Sequence, residues 1–479
     1  MTAVLTSCSE ALDFPSSYKP QTTTTTAMNP MSDQMRITAS SLLLSLERPH
    51  LDMKRKLRTP EDETKLSTML HWISNVISSN TAAALSHDVS SGRLTLYLCS
   101  DSTHEASVNN ATRLSDIMRK SLSGGNQSDQ EDEYLAFVTD VCWERILNKV
   151  NHRVPRFPNV PQGADISTMA SVLTTIIGLA EAWNTWRLRT SIPENSTQIM
   201  KMKQDLNHSQ SFDTLKHCFE QVFRPLDDTE DHLQELRRLW RCCYALLRSD
   251  FFIDIFNSRW KRYSANETWF FCRVYRRIWR LYSYRRGADV LLHRGIPHLI
   301  SIITQSGGTP DLTVCWVPHE SASTVHMDVP PDQFIFQIGQ RRSWSHFSGD
   351  LRQDSQYTSA ARNLWSENET RTVHVHPMVS LVNFLYSSGI RVMENRIGTS
   401  RRPCDLCHYY AGSTGLWDFR CARSSGKFRV DWAIPRMGEL LTRDDAEKII
   451  EELRGYAEST AFDFLAPPWR YMGYYDHTL

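Results

Sequence analysis

Residues 374–408 read HVHPMVSLVNFLYSSGIRVMENRIGTSRRPCDLCH. Leu381, Val382 and Leu385 share one face at helical spacing, so the stretch predicts a helix from about His376 to Ser388. Gly389 can supply the left-handed residue that closes such a helix. Arg396 to Thr399 reads as a short strand, and Pro403 then opens a second helix that carries Cys404 and Cys407. A histidine and a Cys-x-x-Cys pair therefore stand at the starts of two helices, with a strand between them.

Imidazole and thiolate are favoured donors for zinc, and three protein ligands leave a fourth position for water. The partial positive charge of helix N-termini favours thiolates there. His376, Cys404 and Cys407 are thus the candidate metal ligands, with Zn as the expected ion. Two other readings stay open from the residues alone. Cys404, Cys407, His408 and Cys421 can close a four-ligand structural site. A lone Cys-x-x-Cys can also be redox-active, normally after a strand in a thioredoxin-like unit.

Working outward, Gly426 to Ile434 reads as a strand, Thr442 caps a helix running to about Ser459, and the tail from Phe462 to Tyr475 is aromatic. Toward the N-terminus, Leu66, Met69, Leu70, Ile73, Val76 and Ile77 predict a helix from about Thr64. Thr81 to Leu85 and Arg93 to Cys99 follow as strands, the second alternating Leu94, Leu96 and Leu98 with Thr95 and Tyr97. Residues 105–300 are mostly helical by pattern, 305–340 turn strand-like, and 341–370 read as loop. Residues 1–60, rich in Ser, Thr and Pro, cannot bury a core and are expected to be disordered. Lys54-Arg55-Lys56-Leu57-Arg58 within them is a solvated charge run or a nuclear address.

Lys+Arg and Asp+Glu both number 54, so net charge selects no partner. Neither a secretory leader nor an apolar run of about 18 residues is present, so no membrane span is expected. The eleven cysteines are scattered, mostly within helix-like patterns, which fits a reducing, intracellular setting, cytoplasm or nucleus. Local charge is uneven: between Arg237 and Arg286 stand twelve arginines and one lysine against three acids. On a helix from Trp269 to Tyr284, Arg273, Arg276, Arg277 and Arg280 form one face, with Phe271, Tyr275, Ile278, Trp279 and Tyr282 opposite. That arginine face is either a phosphate-binding surface or is paired internally with the acidic stretches Asp129 to Glu133 and Asp227 to Glu230.

A His-x-Glu helix, a strand and a Pro-Cys-x-x-Cys helix form the signature of the zinc deaminases of bases and nucleotides. The chain resembles that superfamily, and most closely a family of nucleic acid/nucleotide deaminase-like proteins found largely in fungi. Shared features are His376, Ile397-Gly398-Thr399-Ser400, the cysteine pair, Ser425-Gly426-Lys427 and Trp432-Ala433-Ile434-Pro435. The resemblance implies an α/β, cytidine-deaminase-like αβα core, split by a large and mostly helical insertion. Residues 1–62 would then be a disordered segment, 63–104 the first helix and hairpin of the core, and 105–370 the insertion, with strands near 310–340. Residues 371–460 would be the zinc-binding half and 461–479 the tail.

The match breaks at one place. The family's proton-shuttling glutamate lies two residues after the histidine, where this chain has Met378. A thioether transfers no protons, and loss of a positioned acid/base typically costs about 10²–10⁴-fold. Substitutes would be Glu367, Glu369 or Glu394, or the shifted register His374-Val375-His376. The expected function is a catalytically impaired, zinc-binding deaminase-like module. An active base deaminase with a substitute base and a structural zinc module for protein contacts are the alternatives. A nucleotide, a nucleic acid or a protein is the expected partner.

Overall fold

The computed structural model describes residues 30–45, 64–101, 105–151, 169–190, 212–224, 231–256, 265–305, 311–320, 322–341, 364–366, 368–412, 418–421, 424–425, 428–436 and 441–465. In chain order these form α1 (Pro30–Ser45), α2 (Lys65–Ile77), β1 (Thr81–His87), β2 (Arg93–Ser100) and α3 (Glu105–Leu122). Six helices follow: α4 (Gln127–Asn151), α5 (Met169–Thr190), α6 (Phe212–Phe223), α7 (His232–Leu247), α8 (Asp250–Phe256) and α9 (Ala265–Ala288). Then come α10 (Ile296–Gln305), β3 (Asp311–Trp316), β4 (Ser323–Met327), α11 (Pro331–Arg341), β5 (Glu369–Val373) and α12 (Pro377–Ser387). The chain ends through β6 (Arg396–Thr399), α13 (Asp405–Gly412), β7 (Arg420–Cys421) and α14 (Arg443–Leu465). Two compact units result, one of residues 1–123 and 294–479, the other of residues 124–293.

The first unit is mixed α/β. Its five-stranded sheet has the order β3-β2-β1-β6-β7. β1 runs antiparallel to β2 and to β6, while β2–β3 and β6–β7 are parallel. Leu94, Leu96 and Leu98 of β2 are buried and Arg93 is exposed, as the alternation in sequence dictates. Ala82 and Ala84 of β1 and Ile397 of β6 share a core with Val379, Leu381 and Val382 of α12. The opposite face carries α2. There a Cβ on Gly398 would stand 2.3 Å from the Leu70 carbonyl carbon, so only glycine lets the helix cross β6 this closely. Thr64 fixes the start of α2, its Oγ1 accepting the Ser67 N–H at 3.2 Å.

Three expectations are corrected. Residues 1–62 were expected to be disordered, yet α1 lies within them and is buried from Gln34 to Leu44, with Ile37, Leu43 and Ala39 inaccessible. The remainder of that segment, including the basic run at 54–58, lies outside the described residues, as do 342–363 of the expected loop and 466–479 of the tail. The helical insertion was expected to span 105–370, but α3 and everything from residue 294 onward belong to the first unit. β3, which sits inside that expected insertion, completes the main sheet beside β2. Finally, the expected strand from Gly426 to Ile434 is not a strand in its described part. It contributes an irregular loop with one bridge, His374 to Trp432.

The second unit is helical, α4 to α9. Trp240 is buried and donates its Nε1–H to the Leu281 carbonyl at 3.1 Å, and Phe219, Phe251, Phe252 and Phe271 pack edge to face. The expected arginine face of α9 is also corrected. Arg277 is only 8% exposed and lies 5.3 Å over the Phe223 ring, and burial lowers its pKa to about 10. Trp279, on the face opposite the arginines, is 39% exposed, whereas Arg277 is buried. The acidic stretch Asp129 to Glu133 meets basic groups of the same unit: Arg285 and His293 on Glu131, and Arg237 on Asp132 at 2.6 Å. Asp227 to Glu230 lie outside the described residues.

Candidate metal centre

His376 is the N-cap of α12 and Pro377 its first residue, a position where a missing N–H costs nothing. Cys404 stands just before α13 and Cys407 in its first turn. β6 sits between these segments in sequence, and its pairing with β1 returns the chain so that the two helix starts meet. One donor atom each from His376, Cys404 and Cys407 lies within 4.8 Å of the others, a group that can hold a metal ion. His376 Nδ1 is 3.1 Å from Cys407 Sγ and 3.6 Å from Cys404 Sγ. A tetrahedral centre with usual metal–nitrogen and metal–sulfur lengths places such donors about 3.5 Å apart, so the residues present fit one. His408 and Cys421 do not belong to this donor group, which leaves three protein ligands among the described residues.

Electrostatics favour charge at this spot despite burial. Burial opposes the imidazolium of His376, but Asp431 and the adjacent Cys404 sulfur outweigh it and raise the pKa to about 9. Burial likewise opposes the Cys404 thiolate. Contacts from Cys407, through its thiol and backbone N–H, and from His376 overcome that and lower its pKa. Cys407 is held as the thiol by burial and by the neighbouring Cys404 charge. Without an ion, the cluster is thus a thiolate–imidazolium pair with one further proton, and each proton is one that an incoming metal displaces.

Two groups from the 428–436 loop face this cluster. Asp431 Oδ1 is 3.8 Å from His376 Nε2, on the side of the ring away from the sulfurs. Arg429 holds the same carboxylate through two contacts of 3.1 Å. This is the arrangement by which a carboxylate orients a ligating imidazole. The Trp432 indole N–H is buried beside Cys407 and favours the anionic form of that thiol. The loop is fixed by backbone bonds: His374 N–H to the Asp431 carbonyl at 2.6 Å and Ala433 N–H to the His374 carbonyl at 2.9 Å. Gln34 of α1 clamps it from outside, donating to the Trp432 carbonyl at 2.7 Å and accepting from the Ile434 N–H. The resemblance includes Trp432 to Pro435 but neither Asp431 nor Gln34. Asp431 had a local signal, being next to the quoted tryptophan; Gln34 had none.

Met378 is buried at 3% exposure in the first turn of α12, two residues from His376. Among the described residues, none of the expected glutamate substitutes joins the donor group, nor does His374. Glu369 pairs with Arg371 at 2.7 Å and accepts the Ser366 N–H, and Glu394 is hydrogen-bonded to His298 at 3.1 Å. His374 is exposed, with its backbone tied to the loop. Glu367 lies outside the described residues. Of the four arginines expected to bind phosphate, all lie on α9 in the second unit, which holds none of the three donors. Among the described residues nine cysteines are free thiols and Cys315 is in a disulfide, so thiol state alone fixes no compartment. No described helix is long and apolar enough to cross a membrane. No protein-family model, curated protein or solved structure matches the chain.

Proposed function

We propose that the chain is a zinc-binding, cytidine-deaminase-like module in which hydrolytic chemistry is impaired because Met378 stands where the proton-shuttling glutamate belongs. The observation that carries this is the convergence of His376, Cys404 and Cys407 at two adjoining helix starts, with a buried thioether beside them. Imidazole with two thiolates suits zinc among the common divalent ions. The pairing of β1 with β6 across some three hundred residues supports a deaminase-like sheet interrupted by the helical unit. In this reading zinc, when bound, would supply an activated water. The chain's own residues hold the ion, orient the histidine through Asp431 and keep the surroundings dry. Asp431 touches the far nitrogen of His376, so it serves orientation and does not replace the missing proton carrier. A nucleotide or nucleic-acid base remains the proposed class of ligand, and retained binding without turnover the proposed activity.

Elemental analysis of purified protein tests the reading: one zinc per chain is expected, and His376→Ala should lose most of it. Zinc retained in full by that variant would instead indicate a closed site built from Cys404, Cys407 and their neighbours. With the metal established, Met378→Glu should gain deamination of cytosine or adenine nucleosides or of single-stranded substrates. A variant that keeps zinc and stays silent would remove the deaminase half of the proposal.

A further inference from the structure

We propose that a second site, at the start of β6, binds a phosphate dianion, either free or as the terminal group of a phosphorylated metabolite. An open pocket of about 420 Å³ is lined by Thr64, Glu394, Asn395, Arg396 and Arg420. The parallel register of β6 and β7 sets Arg396 directly opposite Arg420, so two arginines line one cavity from neighbouring strands. Arg396 is 92% buried by residue, and its Nε is buried without a hydrogen-bond partner. Among the described residues no carboxylate pairs with it. A cation placed this deep without a counter-charge is costly unless an anion meets it at the pocket wall. Arg420 is mostly exposed, and Asp418, 3.6 Å from it, is exposed too, so solvent screens that pair.

A third contribution comes from α2. Its N-cap, Thr64, lines the pocket, and the helix is 13 residues long. Thr64 Oγ1 takes the Ser67 N–H, which leaves the first N–H groups of the helix without intrahelical partners. Together with the helix dipole they favour an anion at this end. Glu394 is the one acid in the lining, and its Oε1 is taken by His298 Nε2 at 3.1 Å. Two guanidinium forks and a helix start match the several acceptor oxygens of a phosphate better than a single halide or carboxylate. The site lies at the beginning of β6, whereas Cys404 follows the strand's other end, so it is separate from the metal centre and does not depend on the metal.

Isothermal titration of the full chain with inorganic phosphate, against sodium chloride at matched ionic strength, tests the proposal. One saturable site is expected. Arg420→Gln, at an exposed position that leaves folding intact, should weaken it about tenfold, the scale of one charged hydrogen bond. Arg396→Gln should abolish it, and Glu394→Gln should tighten it by removing the like charge. The last result carries weight because damage to the fold would not strengthen binding. A nucleoside monophosphate run in parallel separates the sources: equal affinity points to free phosphate, and tighter binding to a phosphorylated metabolite. No saturable heat, or affinity unchanged in both arginine variants, would overturn the proposal. Stripping metal with a chelator should leave phosphate binding unaltered, which keeps this result distinct from that of the zinc reading.

Discussion

Asp431 and His376 show how much one contact decides. The histidine has two ring nitrogens, and only the one facing the sulfurs can join them on a metal. Which nitrogen carries the proton is set by what the other nitrogen meets. Asp431→Asn removes the charge but keeps the shape, so zinc affinity should fall about 10–100-fold with the fold intact. Competition against a chromophoric chelator measures this, and unchanged affinity would assign Asp431 to its pairing with Arg429 alone. The same titration repeated across pH has a definite sign. His376 stays protonated up to about 9 in the metal-free site, so the ion must displace that proton below that value. Affinity should therefore climb as pH rises from 6, and climb less steeply above about 9, where only the Cys407 proton is left to displace. A slope that does not change near 9 would mean that His376 is not a ligand.

At the scale of elements, the meeting of α2 and β6 depends on the absence of a single methyl group. Gly398→Ala would drive a Cβ into the Leu70 backbone, which has no flexible end to move aside. The helix must shift away from the sheet, at a cost of about 1–3 kcal/mol. A lower urea midpoint should report it, and an unchanged midpoint would show that α2 docks more loosely than this. Gly398 was legible in the sequence as part of the resemblance, and so were the helices around it, because Leu381, Val382 and Leu385, like Leu66, Met69 and Ile73, repeat at 3.6 residues. The Trp432 loop was misread as a strand for a physical reason. Its backbone partners are His374 and the Gln34 side chain, scattered contacts that no local periodicity encodes. Arg277 and Trp279 of α9 exchanged their expected places because helical spacing gives a face but not which neighbour covers it.

For the molecule as a whole, α1 ties the N-terminal region to the end of the chain. Arg36 pairs with Glu458 and Asp33 with Arg454 at 2.6 Å, joining α1 to α14, while Gln34 grips the metal-site loop. Met35, Ile37, Leu42, Leu43 and Leu44 are buried in the same core as Met378 and both cysteines. A chain lacking residues 1–46 should therefore melt roughly 10 °C lower or more, given several kcal/mol of lost apolar burial. It should also bind zinc more weakly. Thermal denaturation and the chelator competition check both, and an unaffected truncation would make α1 dispensable to the centre.

By itself the sequence determined which residues could act as metal donors and where most helices and strands lie. Donor chemistry belongs to side-chain type, and helix and strand periods are written in neighbouring residues. It also determined that no glutamate follows His376 at the spacing required. The tertiary structure alone decided that β3, far along the chain, completes the sheet and that a Ser-rich N-terminal helix closes the core. It likewise decided that an aspartate and a glutamine hold the metal-site loop, and that two arginines on adjoining strands share one pocket. These are contacts between residues tens to hundreds of positions apart, and what selects them is the burial of complementary surfaces, to which a local pattern is blind.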